Sequence, residues 1–228
     1  MHINEVYRKF ITDDILSKFG VVQSVDLYQL AYIVSKLEEG PIVEIGTWLG
    51  KSAYTMSLYK NKNSVLHLVD PFESSFGSSN NSYPQADLLV YKENNSTTPD
   101  DVVLKYRQII FDTKDNLPVV KDVLKDFLST TVFHKMRSEN FKLTFEPKFA
   151  FIDGGHTYQE CYDDIKKFVR YDNILIAVHD YDQLDVKLAC HNIANEHDRK
   201  LLFSHQMCYI LDKNCQYESL IREILSTL

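Results

Sequence analysis

The chain has 228 residues, enough for one sizeable core and too few for two large independent domains. Apolar residues make up 44% and charged residues 25%, with 7 glycines and 6 prolines, which excludes collagen-like and broadly disordered chains. A formal charge of -7 argues against broad binding to duplex DNA or anionic membrane. No apolar run has membrane-spanning length, and the first residues, MHINEVYRKF, lack the basic-then-apolar order of a secretory signal. The expectation is a single cytoplasmic domain over residues 1–228 that works on a small molecule, without nucleic acid or membrane, as a monomer or homo-oligomer. Cys161, Cys190, Cys208 and Cys215 have neither C-x-x-C nor zinc-finger spacing and read as reduced, packed thiols.

Helical periodicity begins at Ser24 to Leu37, where Leu27, Leu30, Ala31, Val34 and Leu37 form one apolar stripe. Gly40-Pro41 stops it. Ile42 to Ile45 reads as a buried strand, Gly46 to Gly50 as the turn after it, and Lys51 to Tyr59 as the next helix. Leu66 to Val69 is a second strand ending at Asp70. From Pro71 to Asp100 serine, asparagine, proline and aromatic residues dominate, so this stretch is an insertion, either a lid or an idle surface elaboration. Val102 to Leu128 is broadly helical with a break at Phe111 to Pro118. Thr131 to Met136 is a third strand, and Phe149 to Ile152 a fourth that ends at Asp153.

Thr157 followed by Glu160 has the form of a capping box opening a helix to Tyr171, with Cys161, Ile165, Phe168 and Val169 on its buried face. Asn173 to Val178 is a fifth strand ending at His179-Asp180, and Val186 to Ile193 another helix. Leu201 to Ser204 and Met207 to Leu211 read as adjacent antiparallel strands before a terminal helix from Glu218. This alternation calls for a doubly wound α/β sheet with its ligand outside the carboxyl ends of the strands.

The turn Gly46-Thr47-Trp48-Leu49-Gly50-Lys51-Ser52 admits three readings. A dinucleotide fingerprint would need glycine where Trp48 stands. A Walker A loop would need four residues before Gly50-Lys51-Ser52, and only Thr47, Trp48 and Leu49 intervene; shortening the loop redirects its amides. The third reading suits the charges: Glu44 would repel a phosphate but attract an ammonium, and Asp70 can accept hydrogen bonds from ribose hydroxyls. An acid for an ammonium, a glycine turn and an acid for ribose describe an S-adenosylmethionine pocket.

Glu44-Ile45-Gly46-Thr47-Trp48-Leu49-Gly50-Lys51-Ser52 resembles the first cofactor motif of class I S-adenosylmethionine-dependent methyltransferases, and Leu68-Val69-Asp70-Pro71-Phe72 their second. Phe151-Ile152-Asp153-Gly154-Gly155-His156-Thr157-Tyr158, with His179-Asp180-Tyr181, is similar to the macrocin, rhamnosyl O-methyltransferase and cephalosporin-hydroxylase-like group. The resemblance implies a seven-stranded, mostly parallel Rossmann-like sheet with an antiparallel last strand. It places Glu44, Gly46 and Gly50 at the methionine side of the cofactor, Asp70 at ribose and Ser138 at the adenine edge, with Ser52 also among the cofactor-binding residues. It also implies a magnesium ion held by Asp153 and Asp180, although His179-Asp180 stands where the group carries two adjacent acids.

Methyl transfer needs an aligned acceptor and a route for its proton. Asp153 and His156 after the fourth strand, with Asp180 after the fifth, are the candidate catalytic residues, His156 as general base. Taken singly, Asp153 would cap a turn, His156 would orient Thr157 and His179 would be a core-edge histidine. Asp163 and Asp164 read by default as solvated helix charges, the alternative being that one of them turns back to the site. The expected activity is methyl transfer to a hydroxyl of a small molecule, a sugar among the acceptors. The competing readings are a P-loop-like nucleotide-binding protein and a non-catalytic binding protein that kept the sheet.

Overall fold

Four-residue runs buried on both faces set the centre of this fold. The computed structural model describes residues 4–20, 22–73, 98–213 and 215–228. The strands β1 (Ile42–Ile45), β2 (Leu66–Asp70), β3 (Thr131–Lys135), β4 (Phe149–Ile152), β5 (Leu175–Val178), β6 (Lys200–Ser204) and β7 (Met207–Leu211) form one sheet, ordered β3-β2-β1-β4-β5-β7-β6. Neighbours pair in parallel from β3 to β5, while β7 runs antiparallel to both β5 and β6. This is the doubly wound architecture with an antiparallel last strand that the sequence predicts. β1, β4 and β5 are buried at every position, the mark of parallel strands covered on both faces.

Side-chain alternation sends each strand into two cores. Ile42, Leu68, Phe149, Phe151 and Leu175 face the larger one. It is completed by α1 (Asn4–Phe10), α2 (Asp13–Ser17), α3 (Ser24–Lys36), α4 (Lys51–Tyr59), α5 (Asp100–Thr113), α6 (Leu117–Val123) and α9 (Glu218–Thr227). Val43, Ile45, Ala150, Ile152 and Ile176 face the smaller core, under α7 (Tyr158–Phe168) and α8 (Leu184–Glu196). The four cysteines are buried free thiols. No helix among the described residues is long and apolar enough to cross a membrane.

Several local details differ from the sequence expectation or refine it. The helices α1 and α2, 7 and 5 residues long, carry no apolar period of useful length, and Thr12 marks the start of α2 by accepting from Ile15 N. The break in the long helical stretch falls inside the expected Phe111 to Pro118 interval, at Lys114 to Asn116, where Lys114 takes a left-handed φ of 54° and Leu117-Pro118 opens a new helix. The insertion at 71–100 lies, from 74 to 97, outside the described residues. Its flanks are ordered onto the core: Phe72 and Thr98 are fully buried, and Phe72 accepts a hydrogen bond from Asn116 N.

The strand register does most to position the site. Ile45 pairs with Val69 on one side and Ile152 on the other, and Ile152 pairs with Val178. The ladder runs one step further, with Gly46 N donating to Val69 O, Asp153 N to Ile45 O and His179 N to Ile152 O, at 2.8–2.9 Å. Asp70, Gly46, Asp153 and His179 therefore stand in one row along the carboxyl edge of four adjacent strands.

Candidate active site

The turn after β1 requires its glycines. Gly46 sits at φ 83° and Gly50 at φ 87°, with Trp48 at 45° between them. A Cβ on Gly46 would lie 2.0 Å from the Asp153 carbonyl oxygen, so the β1 and β4 loops touch backbone to backbone. Trp48 packs its ring against Phe19, 5.7 Å between centroids, which ties the turn to the α2–α3 connection.

Asp70 holds this turn from below. Its Oδ2 accepts from Thr47 N at 2.8 Å and Trp48 N at 3.1 Å, and its Oδ1 accepts from Phe72 N. Burial raises its pKa, and the three amides work against that shift. The two loop amides that a Walker A reading would aim at phosphate are thus already taken by a carboxylate, which removes the physical basis of that reading. A carboxylate offers about four lone-pair sites, so Asp70 keeps roughly one for a ribose hydroxyl rather than the pair the sequence suggested. Asp70→Ala should therefore destabilise the protein by about 2–3 kcal/mol by orphaning these amides, besides weakening S-adenosylhomocysteine. Urea denaturation and calorimetry separate the two effects, and an unchanged melt would remove Asp70 from this structural role.

Glu44, fully buried, points from β1 into the larger core beneath the turn. Its Oε1 accepts from Ser52 Oγ at the start of α4, and its Oε2 from Thr47 Oγ1 at 3.4 Å. Burial pushes its pKa up to about 8, helped by the charges of Asp153 and Asp70 and opposed by the Ser52 hydrogen bond. Glu44, Gly46, Gly50, Ser52 and Asp70 are thus brought into one cluster.

A second cluster occupies the rim after β4 and β5. His156 Nε2 lies 2.9 Å from Asp180 Oδ2. His179 Nδ1 lies 3.2 Å from Asp153 Oδ1 and 3.5 Å from Asp180 Oδ2. Neither His179 nitrogen, nor His156 Nε2, has an aligned hydrogen bond among the described residues, so charge rather than directionality binds them. The hydrogen-bond distance to Asp180 raises the His156 pKa against burial. Burial alone would lower His179, but Asp153, Asp180 and Asp26 outweigh it and hold the imidazolium form. Burial opposes ionisation of Asp180 too, and the two histidines overcome it and hold its pKa far below the ordinary value. Asp180 takes a left-handed φ of 56°, which turns its carboxylate back over the rim. Asp153, His156 and Asp180 each present one ligand atom within 4.8 Å of the others, a donor set of two carboxylates and an imidazole that fits a divalent cation.

Three features escape the sequence reading. Asp26, on the first turn of α3, is fully buried with its Oδ2 3.6 Å from His179 Nε2 and 3.1 Å from His205 Nδ1 in the β6–β7 turn. Gln29 donates to Asp26 and accepts from the buried Tyr209 hydroxyl. His179, expected as a bystander, is the hinge between this inner chain and the rim. Asp164 is the third, 2% exposed and 3.0 Å from Lys167 Nζ rather than solvated like its neighbour Asp163. Burial raises the Asp164 pKa and the Ser138 side chain works against it, so the residue expected at the adenine edge lies beside this buried carboxylate.

The strand order, the glycine turn and the acids at the carboxyl edge together define a class I S-adenosylmethionine-dependent methyltransferase. Residues 43–181, more than half of the chain, match the family described as "Methyltransferase domain"; the chain belongs to that family and is an S-adenosylmethionine-dependent methyltransferase. No curated protein matches the sequence. Among solved structures, the cofactor-bound Rv0187 from MTB aligns with a TM-score of 0.56 at 11% identity, over 91% of this chain and 89% of that one. A methyltransferase from Geobacter sulfurreducens aligns at 0.53 and 11% identity, over 83% and 79%. CalS11, a TDP-rhamnose 3'-O-methyltransferase of calicheamicin biosynthesis, aligns at 0.50 and 13% identity, over 83% and 80%. At these identities the likeness is one of fold.

Proposed function

We propose that this methyltransferase acts on a hydroxyl of a small molecule, with sugars as the acceptor class, as in the macrocin and rhamnosyl O-methyltransferase group. The observation that carries the reading is the convergence of Asp153, His156 and Asp180 at one rim, next to the turn that receives the cofactor. Such a group serves an acceptor that must lose a proton, as a hydroxyl does.

In this reading Gly46 and Gly50 let the turn approach the methionyl half, and Ser52 orients Glu44 toward the ammonium. Asp70 gives its remaining lone pair to ribose, and Ser138, beside Asp164, borders the adenine. S-Adenosylmethionine supplies an activated methyl, so the chain's own residues only align the acceptor and hold its proton. His156, paired with Asp180 at 2.9 Å, would take that proton. Asp153 and Asp180 would hold magnesium, a Lewis acid toward the acceptor oxygen that keeps several waters as further ligands. The deciding assay is S-adenosylhomocysteine release from a panel of hydroxylated acceptors, nucleotide-linked sugars included. Turnover only on nitrogen or carbon acceptors would overturn the hydroxyl assignment.

Glu44 makes cofactor binding pH-dependent. With its pKa near 8 it is mostly protonated at neutral pH, and pairing with the cofactor ammonium requires the carboxylate. S-Adenosylhomocysteine affinity should rise from pH 6 to pH 8, and binding near pH 7 should expel a proton. Calorimetry in buffers of different ionisation enthalpy reads both. Glu44→Gln should flatten the profile and weaken binding by about tenfold, roughly 1.4 kcal/mol. The free protein shows the opposite sign: a raised folded pKa gives stability that is complete below the unfolded value near 4.5 and lost as pH climbs through 8. Relative to wild type, Glu44→Gln should therefore melt progressively higher as pH rises from about 4.5 to about 8, and gain nothing further above that.

A further inference from the structure

Lys51, the first residue of α4, is only 5% exposed, and among the described residues its ammonium makes no hydrogen bond or ion pair. A cation placed so deeply without a counter-ion is costly, and its burial lowers the pKa to about 8. The α2–α3 connection seals it: a Cβ on Gly20 would fall 2.6 Å from Lys51 Cβ and 2.9 Å from its Cδ, so this backbone lies directly on the lysine stem. Helical side chains tilt toward the amino terminus, which carries the Lys51 chain back over the opening of α4. The N–H groups of Lys51, Ser52 and Ala53 find no acceptor there among the described residues, and Gly50 supplies no capping side chain. A bare helix terminus and a nearly buried lysine whose ammonium has no counter-ion among the described residues thus meet beside the glycine turn, and both call for an anion.

Glu44 has the mirror deficit. It is fully buried and hydrogen-bonded to hydroxyls, but no cation among the described residues lies at ion-pair distance. Glu44 and Lys51 are not paired with each other; neither perturbs the other's ionisation. One buried acid and one buried base, flanking a single turn and each lacking its counter-charge, match a zwitterion.

We infer that Lys51 recognises the α-carboxylate of the methionyl half of the cofactor, opposite Glu44 on its ammonium. This rests on the S-adenosylmethionine reading above, which supplies the zwitterion; an acidic acceptor would supply a carboxylate without the adjoining ammonium. The role makes Lys51 a specificity residue for the intact amino-acid tail, so the chain separates S-adenosylhomocysteine from 5'-methylthioadenosine, which has the same nucleoside and no amino acid.

The test is calorimetric titration of both ligands into wild type, Lys51→Met and Lys51→Gln. S-Adenosylhomocysteine should lose 10- to 100-fold in affinity in both variants, whereas 5'-methylthioadenosine should bind all three proteins within about twofold. The free variants should melt no lower than wild type, because the burdened cation is gone. Unchanged S-adenosylhomocysteine affinity in either folded variant overturns the assignment of Lys51 and leaves the cofactor reading standing. An equal loss for both ligands also overturns it, by showing a general distortion of the turn. Failure of wild type to bind either ligand overturns the cofactor reading itself, and the inference with it.

Discussion

Gly46→Ala should abolish S-adenosylhomocysteine binding and cost the protein more than about 4 kcal/mol, in the range reserved for severe backbone and packing conflicts. Two penalties act together. A φ of 83° is strained for any L side chain. The new Cβ would also lie 2.0 Å from Asp153 O, 2.5 Å from Asp153 C and 2.8 Å from Gly154 Cα. All three are backbone atoms, so relief requires moving β4 away from β1 and disturbing the row of site residues. Gly154→Ala is the matched control. Its Cβ would lie 3.1 Å from Ile45 Cγ2 and 3.3 Å from Asp164 Oδ2, side-chain atoms that need give only slightly. Urea denaturation should show a large fall in midpoint for the first variant and a small one for the second. A Gly46→Ala protein that melts like wild type would refute the close approach of the two loops.

Asp180→Asn should lower turnover by about 10²–10³-fold, the usual contribution of a positioned proton acceptor or its support, with S-adenosylhomocysteine affinity held within a few-fold. Asparagine tolerates the left-handed conformation at this position, so the backbone survives and the charge alone is lost. His156, 2.9 Å away, loses its carboxylate partner, and His179, 3.5 Å away, loses one of its three acids. Exhaustive chelation should lower activity on a working acceptor, and Mg²⁺ should restore it, with Asp153→Asn raising the magnesium needed. Full activity in a metal-free preparation would discard the metal and leave His156 as base with Asp180 orienting it. A full rate in Asp180→Asn would remove the rim from the chemistry altogether.

The sheet was readable in the sequence because β1, β4 and β5 are short, mostly apolar runs that stop at the turn glycine Gly46, at Asp153 and at His179-Asp180. The glycine turn was readable for the same reason: little else explains two glycines and an acid packed around one strand end. What stayed hidden depends on long separations or on burial. Asp26 in the first turn of α3 looks like an ordinary helix-dipole acid, and its partner His205 is 179 residues away, beyond any local pattern. Asp70 looks fully available for a ligand until its three amide donors appear. Asp164 was within reach, since it falls three residues after Cys161 and four before Phe168, on the face already assigned to the core. The adjacent Asp163, one helical step round, is exposed, so the pair had to be separated rather than read as one charged patch.

The row formed by Asp70, Gly46, Asp153 and His179 ties proofreading to function. Side chains alternate faces along a strand, so a slip of one residue in β4 or β5 would send Asp153 or His179 to the opposite side of the sheet. The same slip would turn Phe151 or Ala177 out of the larger core and deprive Gly46 of its neighbour. A misaligned strand is therefore punished by the core before any substrate arrives, and chains that survive folding carry a correctly spaced set of reactive groups. Single-residue insertions or deletions within these strands should consequently yield insoluble protein rather than folded, inactive enzyme.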